Sequence, residues 1–275
     1  MKLRSGKAPI VAFITDFGRR DVYVAEMYLV LLENCPQSRI IEVTHELSPG
    51  DISSAAYIVG RIKDRLPIGS ICVVVVDPGV GTARQGVVVE CDGRYFVGPD
   101  NGIFSHVIAS DQSYRVRVLD TQDASPKMCG NTFNGRDLFA PVAGRLAAGC
   151  RFEDLGREGR LLNTPPAQPP KKLKNGWQGR IVYIDRFGNA ITNITNCPGG
   201  IIRVGDFDRL PKGENYADQP LNVPFWLEGS GGTVEISMNG DSAADRLNLH
   251  PGEPVWLLKE KLWQGTGCDE GVTCF

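Results

Sequence analysis

Hydrophobic positions in the first half of the chain come in short unbroken runs. Residues 10–15 (Ile-Val-Ala-Phe-Ile-Thr) lead straight into Asp16-Phe17-Gly18, the pattern of a buried strand breaking into a loop. A helix-compatible stretch over 22–32 follows, then a strand over 39–43. Ser48-Pro49-Gly50-Asp51 supplies a turn and an N-cap for a helix reaching to about residue 65. Residues 71–76 (Ile-Cys-Val-Val-Val-Val) form the strongest strand. Their lack of alternation suits a strand covered on both faces, and the strand–helix succession predicts a largely parallel α/β sheet. Further strands are expected over 86–90, 95–97 and 114–119, with helices starting near 102 and spanning 135–148.

The pattern then changes. Asn163-Thr164-Pro165-Pro166-Ala167-Gln168-Pro169-Pro170 cannot sustain a helix or a central strand, because proline removes backbone donors and fixes φ. Residues 163–175 therefore read as a stiff linker between a layered α/β domain over 1–162 and a second domain over 176–275. In that second domain short β-rich runs (179–184, 190–194, 201–204, 233–238, 254–258) alternate with Gly, Pro, Asn and Asp clusters. That spacing predicts a small all-β barrel.

Composition narrows the functional classes. The 275 residues carry 30 Lys+Arg and 32 Asp+Glu, a net charge of −2, with 42% hydrophobic residues. Such a balance gives no global drive toward nucleic acid or an anionic membrane, and no apolar run approaches a membrane-spanning length. The eight cysteines are scattered and never form Cys-x-x-Cys, so they read as free thiols of a reducing, cytoplasmic compartment. The three histidines, His45, His106 and His250, lie far apart, and no metal-ligand spacing is visible. The tail over 265–275, with Cys268 and Cys274, reads as a frayed terminus.

In open α/β sheets ligands bind beyond the carboxyl ends of strands. Two carboxylates stand there: Asp16, and Asp77 in Val76-Asp77-Pro78-Gly79-Val80-Gly81-Thr82-Ala83-Arg84. Asp16 either accepts hydrogen bonds from ribose hydroxyls or caps its loop. Arg84 is near enough in sequence to turn back on Asp77, either to hold a water or to make a structural ion pair. Asn131-Thr132-Phe133-Asn134-Gly135-Arg136-Asp137 precedes a helix whose N-terminus could face a ligand, and Pro99-Asp100-Asn101-Gly102 looks like a turn into another. In the second domain Asp185-Arg186-Phe187-Gly188-Asn189 offers an aromatic face and a side-chain amide, groups that can stack on and bond to a purine, although a phenylalanine is more often core than platform.

Taken together, Ile14-Thr15-Asp16-Phe17-Gly18, Val76-Asp77-Pro78-Gly79-Val80-Gly81-Thr82, Val97-Gly98-Pro99-Asp100-Asn101-Gly102, Asn134-Gly135-Arg136-Asp137 and Asp185-Arg186-Phe187-Gly188-Asn189 resemble the S-adenosylmethionine hydroxide adenosyltransferase family, related to fluorinases and chlorinases. The resemblance runs in order along nearly the whole chain. It implies an α/β amino-terminal domain, a β-barrel carboxy-terminal domain and a homotrimer with sites between subunits. S-adenosylmethionine would be the substrate, with no metal or redox cofactor. By that resemblance Asp16 would hold the ribose hydroxyls. Phe187 and Tyr216 would sandwich the adenine, whose edge Asn189 and backbone groups from Met238 to Gly240 would meet. Asp185 and Ser230 would hold the methionine part.

The family's water-handling trio is Asp, Arg and His. Asp77 and Arg84 match the first two, but Asn134 stands where the family has histidine, and an amide cannot take a proton near neutral pH. Halide-using relatives carry tyrosine at the Asp77 position, so water is the expected nucleophile and slower turnover than in a His-containing relative is expected. The alternatives are a protein that binds S-adenosylmethionine or adenosine with little turnover, and a halide-using adenosyltransferase.

Overall fold

In a computed structural model, the described residues are 8–108, 113–120, 122–124, 132–163, 169–195 and 199–259. The chain divides into two compact units, Met1–Ala167 and Gln168–Phe275. Unit one contains β1 (Ile10–Thr15), α1 (Tyr23–Asn34), β2 (Arg39–Thr44), α2 (Ile52–Lys63), β3 (Ile71–Val75), β4 (Gly86–Cys91), β5 (Arg94–Pro99), α3 (Ser105–Ile108) and β6 (Arg115–Val118). A π-helical turn, Gly135–Phe139, then runs into α4 (Ala140–Ala147), and β7 (Arg157–Gly159) closes the unit.

Its seven strands are ordered β2-β1-β3-β5-β4-β6-β7. Strand parity decides which helices each residue meets. Val11, Phe13, Val73 and Val75 pack with Met27 and Leu31 of α1 and Val142 and Leu146 of α4. Ala12, Ile14, Cys72 and Val74 instead share a core with Ala55 and Val59 of α2 and with Val107 of α3. Burial on both faces is why β3 shows no alternation. Asp51 caps α2, its carboxylate accepting from the Ser54 N–H at 2.9 Å.

The expectation of a largely parallel sheet needs correction. Strands β2, β1, β3 and β5 are parallel, but β5–β4, β4–β6 and β6–β7 are antiparallel. The reason is local. Asp92 and Gly93, at φ 50° and 69°, form a tight turn that folds β4 back on β5, a connection that parallel strands cannot have.

Unit two contains β8 (Lys171–Leu173), β9 (Gly176–Ile184), β10 (Ala190–Thr195), β11 (Ile201–Val204), β12 (Phe207–Leu210), β13 (Pro224–Glu228), β14 (Thr233–Met238), α5 (Ala243–Leu247) and β15 (Pro254–Leu258). Seven strands run β12-β11-β15-β9-β10-β14-β13, and β8 pairs with β9. The sheet nearly closes into a barrel. Past β12, the Pro211 carbonyl accepts from the Trp226 N–H of β13 at 2.9 Å, and the Gly213 N–H donates to the Trp226 carbonyl at 2.7 Å. Ile181, Trp226, Val234 and Ile236 lie in its core.

Lys171–Leu173, within the stretch read as linker, is a strand paired with β9, and residues 164–168 of that stretch lie outside the described residues. The second unit is also not all β. Helix α5 is capped by Ser242, whose hydroxyl accepts from the Asp245 N–H at 3.1 Å. Among the described residues no helix is long and apolar enough to cross a membrane. Cys35, Cys72, Cys91 and Cys150 are free thiols. Cys129, Cys197 and the tail over 265–275, with Cys268 and Cys274, lie outside the described residues.

Candidate active site

Strands β1 and β3 are neighbours in parallel register, with Thr15 opposite Val75, so their carboxyl ends meet at one edge of the sheet. That places Asp16 and Asp77 on the wall of one cleft of about 690 Å³, the size of a small-molecule site. Pro49, Gly50, Pro78 and Asn134 line it too. The Asp16 carboxylate accepts from the Gly50 N–H at 2.8 Å, which ties the loop after β1 to the loop after β2.

Asp77 and Arg84 do touch. The Arg84 Nε donates to Asp77 Oδ1 at 2.9 Å and a terminal nitrogen donates to Oδ2, a two-pronged grip on both carboxylate oxygens. Their side chains are only 6% and 9% exposed, and the Arg84 guanidinium also stands 5.5 Å from the centre of the Phe139 ring. The glycine at 79 is packed directly against this pair, since a Cβ there would stand 3.5 Å from Arg84 Cγ and 3.7 Å from Asp77 Oδ1. A carboxylate so held is oriented as an acceptor toward whatever enters the cleft.

Asn134 lies at the start of the π-helical turn, and its side chain makes no capping bond. Gly135 behind it is hemmed by Met27 Sδ, Phe133 and Phe17, which a Cβ would meet at 3.0 to 3.4 Å. Arg136 faces its own motif: it donates to both oxygens of buried Asp137, at 2.7 and 3.0 Å, and to Glu26 at 3.3 Å. Those carboxylates push its pKa far above the usual arginine value. Asn131, read with this segment, lies outside the described residues. Asp100, in the turn after β5, is buried and accepts from the Leu162 N–H at 2.7 Å, a structural tie within unit one.

Sequence reasoning missed the aromatic part of the cleft. Phe17, Tyr23 and Phe133 pack on one another, with centroids 5.2 to 5.9 Å apart; Phe133 meets both others edge-on. Phe17 and Phe133 each adjoin a recognisable motif, but no local signal joins Tyr23 to Phe133 across 110 residues. His45 was also unassigned; its ring is fully buried behind Thr15.

In unit two, Asp185, Phe187 and Asn189 form one turn. Asp185 Oδ1 accepts from the Phe187 and Asn189 N–H groups at 2.8 and 2.9 Å, while Oδ2 accepts from the Asn189 side-chain amide at 2.9 Å. This Asp185 carboxylate therefore already orients Asn189. Gly188, at φ 80°, sits so tightly against Ser242 that no side chain fits. Phe187 is 77% exposed, which removes the core reading for it. Tyr216 donates its hydroxyl to buried Glu235, and burial with that hydrogen bond pushes its pKa up to about 12. Glu235 is another residue that sequence reasoning missed. Ser230 is exposed in the turn before β14. The Met238 side chain belongs to the core, which leaves only its backbone for any ligand, and Gly240 adopts φ 83° beside Leu221. Among the described residues no group of three or more His, Cys, Asp or Glu side chains is arranged to hold a metal ion.

Residues 11–156 match the family model described as the SAM hydroxide adenosyltransferase N-terminal domain, and residues 179–256 match its C-terminal domain. The chain belongs to the SAM hydroxide adenosyltransferase family. A Thermus thermophilus protein named (R)-S-adenosyl-L-methionine hydrolase is 39% identical, with 90% of this chain and 99% of that one covered. Among solved structures, an uncharacterized conserved protein from Thermotoga maritima superposes with a TM-score of 0.83 at 27% identity, covering 90% of this chain and 100% of that one. The chain is also similar to a fluorinase of Actinoplanes sp., 26% identical with 91% of this chain and 98% of that one covered.

Proposed function

We infer that this chain hydrolyses S-adenosylmethionine to adenosine and methionine. The observation that carries the reading is the Asp77 carboxylate, gripped at both oxygens by Arg84 and set on the same cleft wall as Asp16. The reaction is an in-line displacement: a water oxygen bonds to the ribose 5′ carbon as the bond from that carbon to the sulfonium breaks. The electron pair stays on the sulfur of neutral methionine, and the water proton leaves to solvent. Because the substrate contains its own leaving group, alignment and partial desolvation of the water supply the catalysis, on the order of 7–11 kcal/mol in well-aligned cases. No metal or redox cofactor has a step in it.

In this reading Asp77, oriented by Arg84, accepts a hydrogen bond from the attacking water, and the Asn134 amide orients that water without taking its proton. Asp16 holds the ribose hydroxyls. Phe187 and Tyr216 flank the adenine, Asn189 and the backbone from Met238 to Gly240 meet its edge, and Asp185 and Ser230 hold the methionine part. The exposed aromatic face of Phe187 supports this, since an uncovered ring of that size commonly marks a ligand or a partner surface. The further reading is a cytoplasmic homotrimer with sites between subunits, built from an α/β domain over 1–162, a linker over 163–175 and a small β-barrel over 176–275, with no nucleic-acid or membrane partner. The carboxylate at Asp77 disfavours a halide by charge repulsion. Asn134 supports a second reading, a protein that binds S-adenosylmethionine with little turnover.

Incubating the purified chain with both sulfonium epimers of S-adenosylmethionine, with and without chloride, separates these readings by liquid chromatography with mass detection. Adenosine and methionine formed in equal amounts support hydrolysis. A chloride-dependent 5′-chloroadenosine would replace it with the halide reading, and bound, unchanged substrate with the binding reading.

A further inference from the structure

The fully buried His45 ring has no place in the chemistry above, yet it is bonded on both sides. Its Nδ1 lies 2.8 Å from the Thr15 hydroxyl and its Nε2 lies 2.7 Å from the Tyr28 hydroxyl. The negative charge of Glu42 helps hold the Tyr28 hydroxyl protonated, and Glu42 is itself paired with Arg19 at the surface. The direction of this relay follows from its outer end. Arg19 holds the Glu42 carboxyl below its usual pKa, and that negative charge draws the Tyr28 hydroxyl proton toward its side. The Tyr28 oxygen is then free to accept from His45 Nε2–H. That leaves Nδ1 as an acceptor for the Thr15 hydroxyl, whose own oxygen accepts from the Phe17 N–H at 3.3 Å. The His45 carbonyl also accepts from the Gly18 N–H at 2.7 Å.

His45 thus holds the chain at Thr15, where β1 ends, and at Gly18 in the loop that follows, and Asp16 lies between them. Asp16 itself accepts from the Gly50 N–H, at the far end of the short segment that begins with His45. We propose that the relay Glu42, Tyr28, His45, Thr15 is a positioning device that sets the Asp16 carboxylate for the ribose hydroxyls. The proposal rests on the ribose role given to Asp16 above. His45 and its relay partners touch no reacting atom; they act through the loop.

The test compares affinities for adenosine and 2′,3′-dideoxyadenosine by calorimetry in the parent, Thr15→Val, His45→Gln, Tyr28→Phe and Asp16→Asn. The parent should prefer adenosine by about tenfold or more, the worth of a hydrogen bond to a charged group. In Thr15→Val and His45→Gln that preference should fall to about threefold or less. Thr15→Val added to Asp16→Asn should lower it no further, because both remove one interaction. For the same variants KM for S-adenosylmethionine should rise more than kcat falls. A parent-like preference in folded variants would overturn the proposal and leave His45 as core packing. Should the two inner variants fail to fold, Tyr28→Phe decides. It keeps the ring against Phe13 and removes only the hydroxyl, and a parent-like preference there would equally overturn the relay. A parent that does not distinguish the two nucleosides would instead refute the ribose role of Asp16, and the inference with it.

Discussion

Asn134 stands on the cleft wall where a proton acceptor would be of most use, and its amide can only orient a water. Replacing it with histidine should therefore raise adenosine formation by at least about tenfold, since a well-placed general base is worth about 10²–10⁴. Steady-state assay across pH 6 to 9 checks this, and the gain should appear above the imidazole pKa, where the ring is neutral. Asp77 differs, because it is half of a buried pair. Asp77→Asn should cost about 3 kcal/mol or more of stability in urea denaturation, by leaving the Arg84 cation unpaired, as well as activity. The pairing was legible in the sequence only as a possibility: six residues of Gly-rich loop at a strand tip let the arginine turn back toward the acid, and the structure shows that it does. Tyr23, Phe133, His45 and Glu235 were not legible, because what gives each its role is a partner distant in sequence.

At the scale of elements, the buried strands and the longer helices were readable because two-sided burial and helical periodicity leave strong marks. The turn and cap at Ser48–Asp51 were legible, but two other such signals escaped. Asp92-Gly93 is a hairpin signal between two expected strands, and Ser242-Ala243-Ala244-Asp245 starts a capped helix of only five residues. The short strands β7, β8 and β12 gain their order from a neighbouring strand. Close strand spacing yields a prediction at this scale. A Cβ at Gly98 on β5 would clash with the Val74 carbonyl of β3 and press on Phe104 at 3.1 Å. Gly98→Ala should thus destabilise the protein by about 1–3 kcal/mol, read as a lower urea midpoint, because it pries apart strands close to the Asp77 loop.

For the molecule as a whole, His45 is fully buried and His106 half-buried, and desolvation holds both below the ordinary histidine pKa of 6.5. The unfolded chain therefore binds protons first as pH falls, so stability present above about pH 7 declines through 6.5 toward the folded-state values. Tm should drop between pH 7.5 and 5.5, and His45→Gln should flatten that slope. A two-unit organisation was legible from the proline cluster and the shift to short strands. Which strands pair, and that the front sheet is half antiparallel, was not, since pairing depends on turns and contacts far apart in sequence. The central claim, that water attacks the ribose 5′ carbon, is tested most directly by running the reaction in ¹⁸O-labelled water and locating the label by mass spectrometry. Hydrolysis as described predicts one ¹⁸O in the 5′-hydroxyl of adenosine and none in methionine. Unlabelled adenosine, or label in methionine, would contradict it.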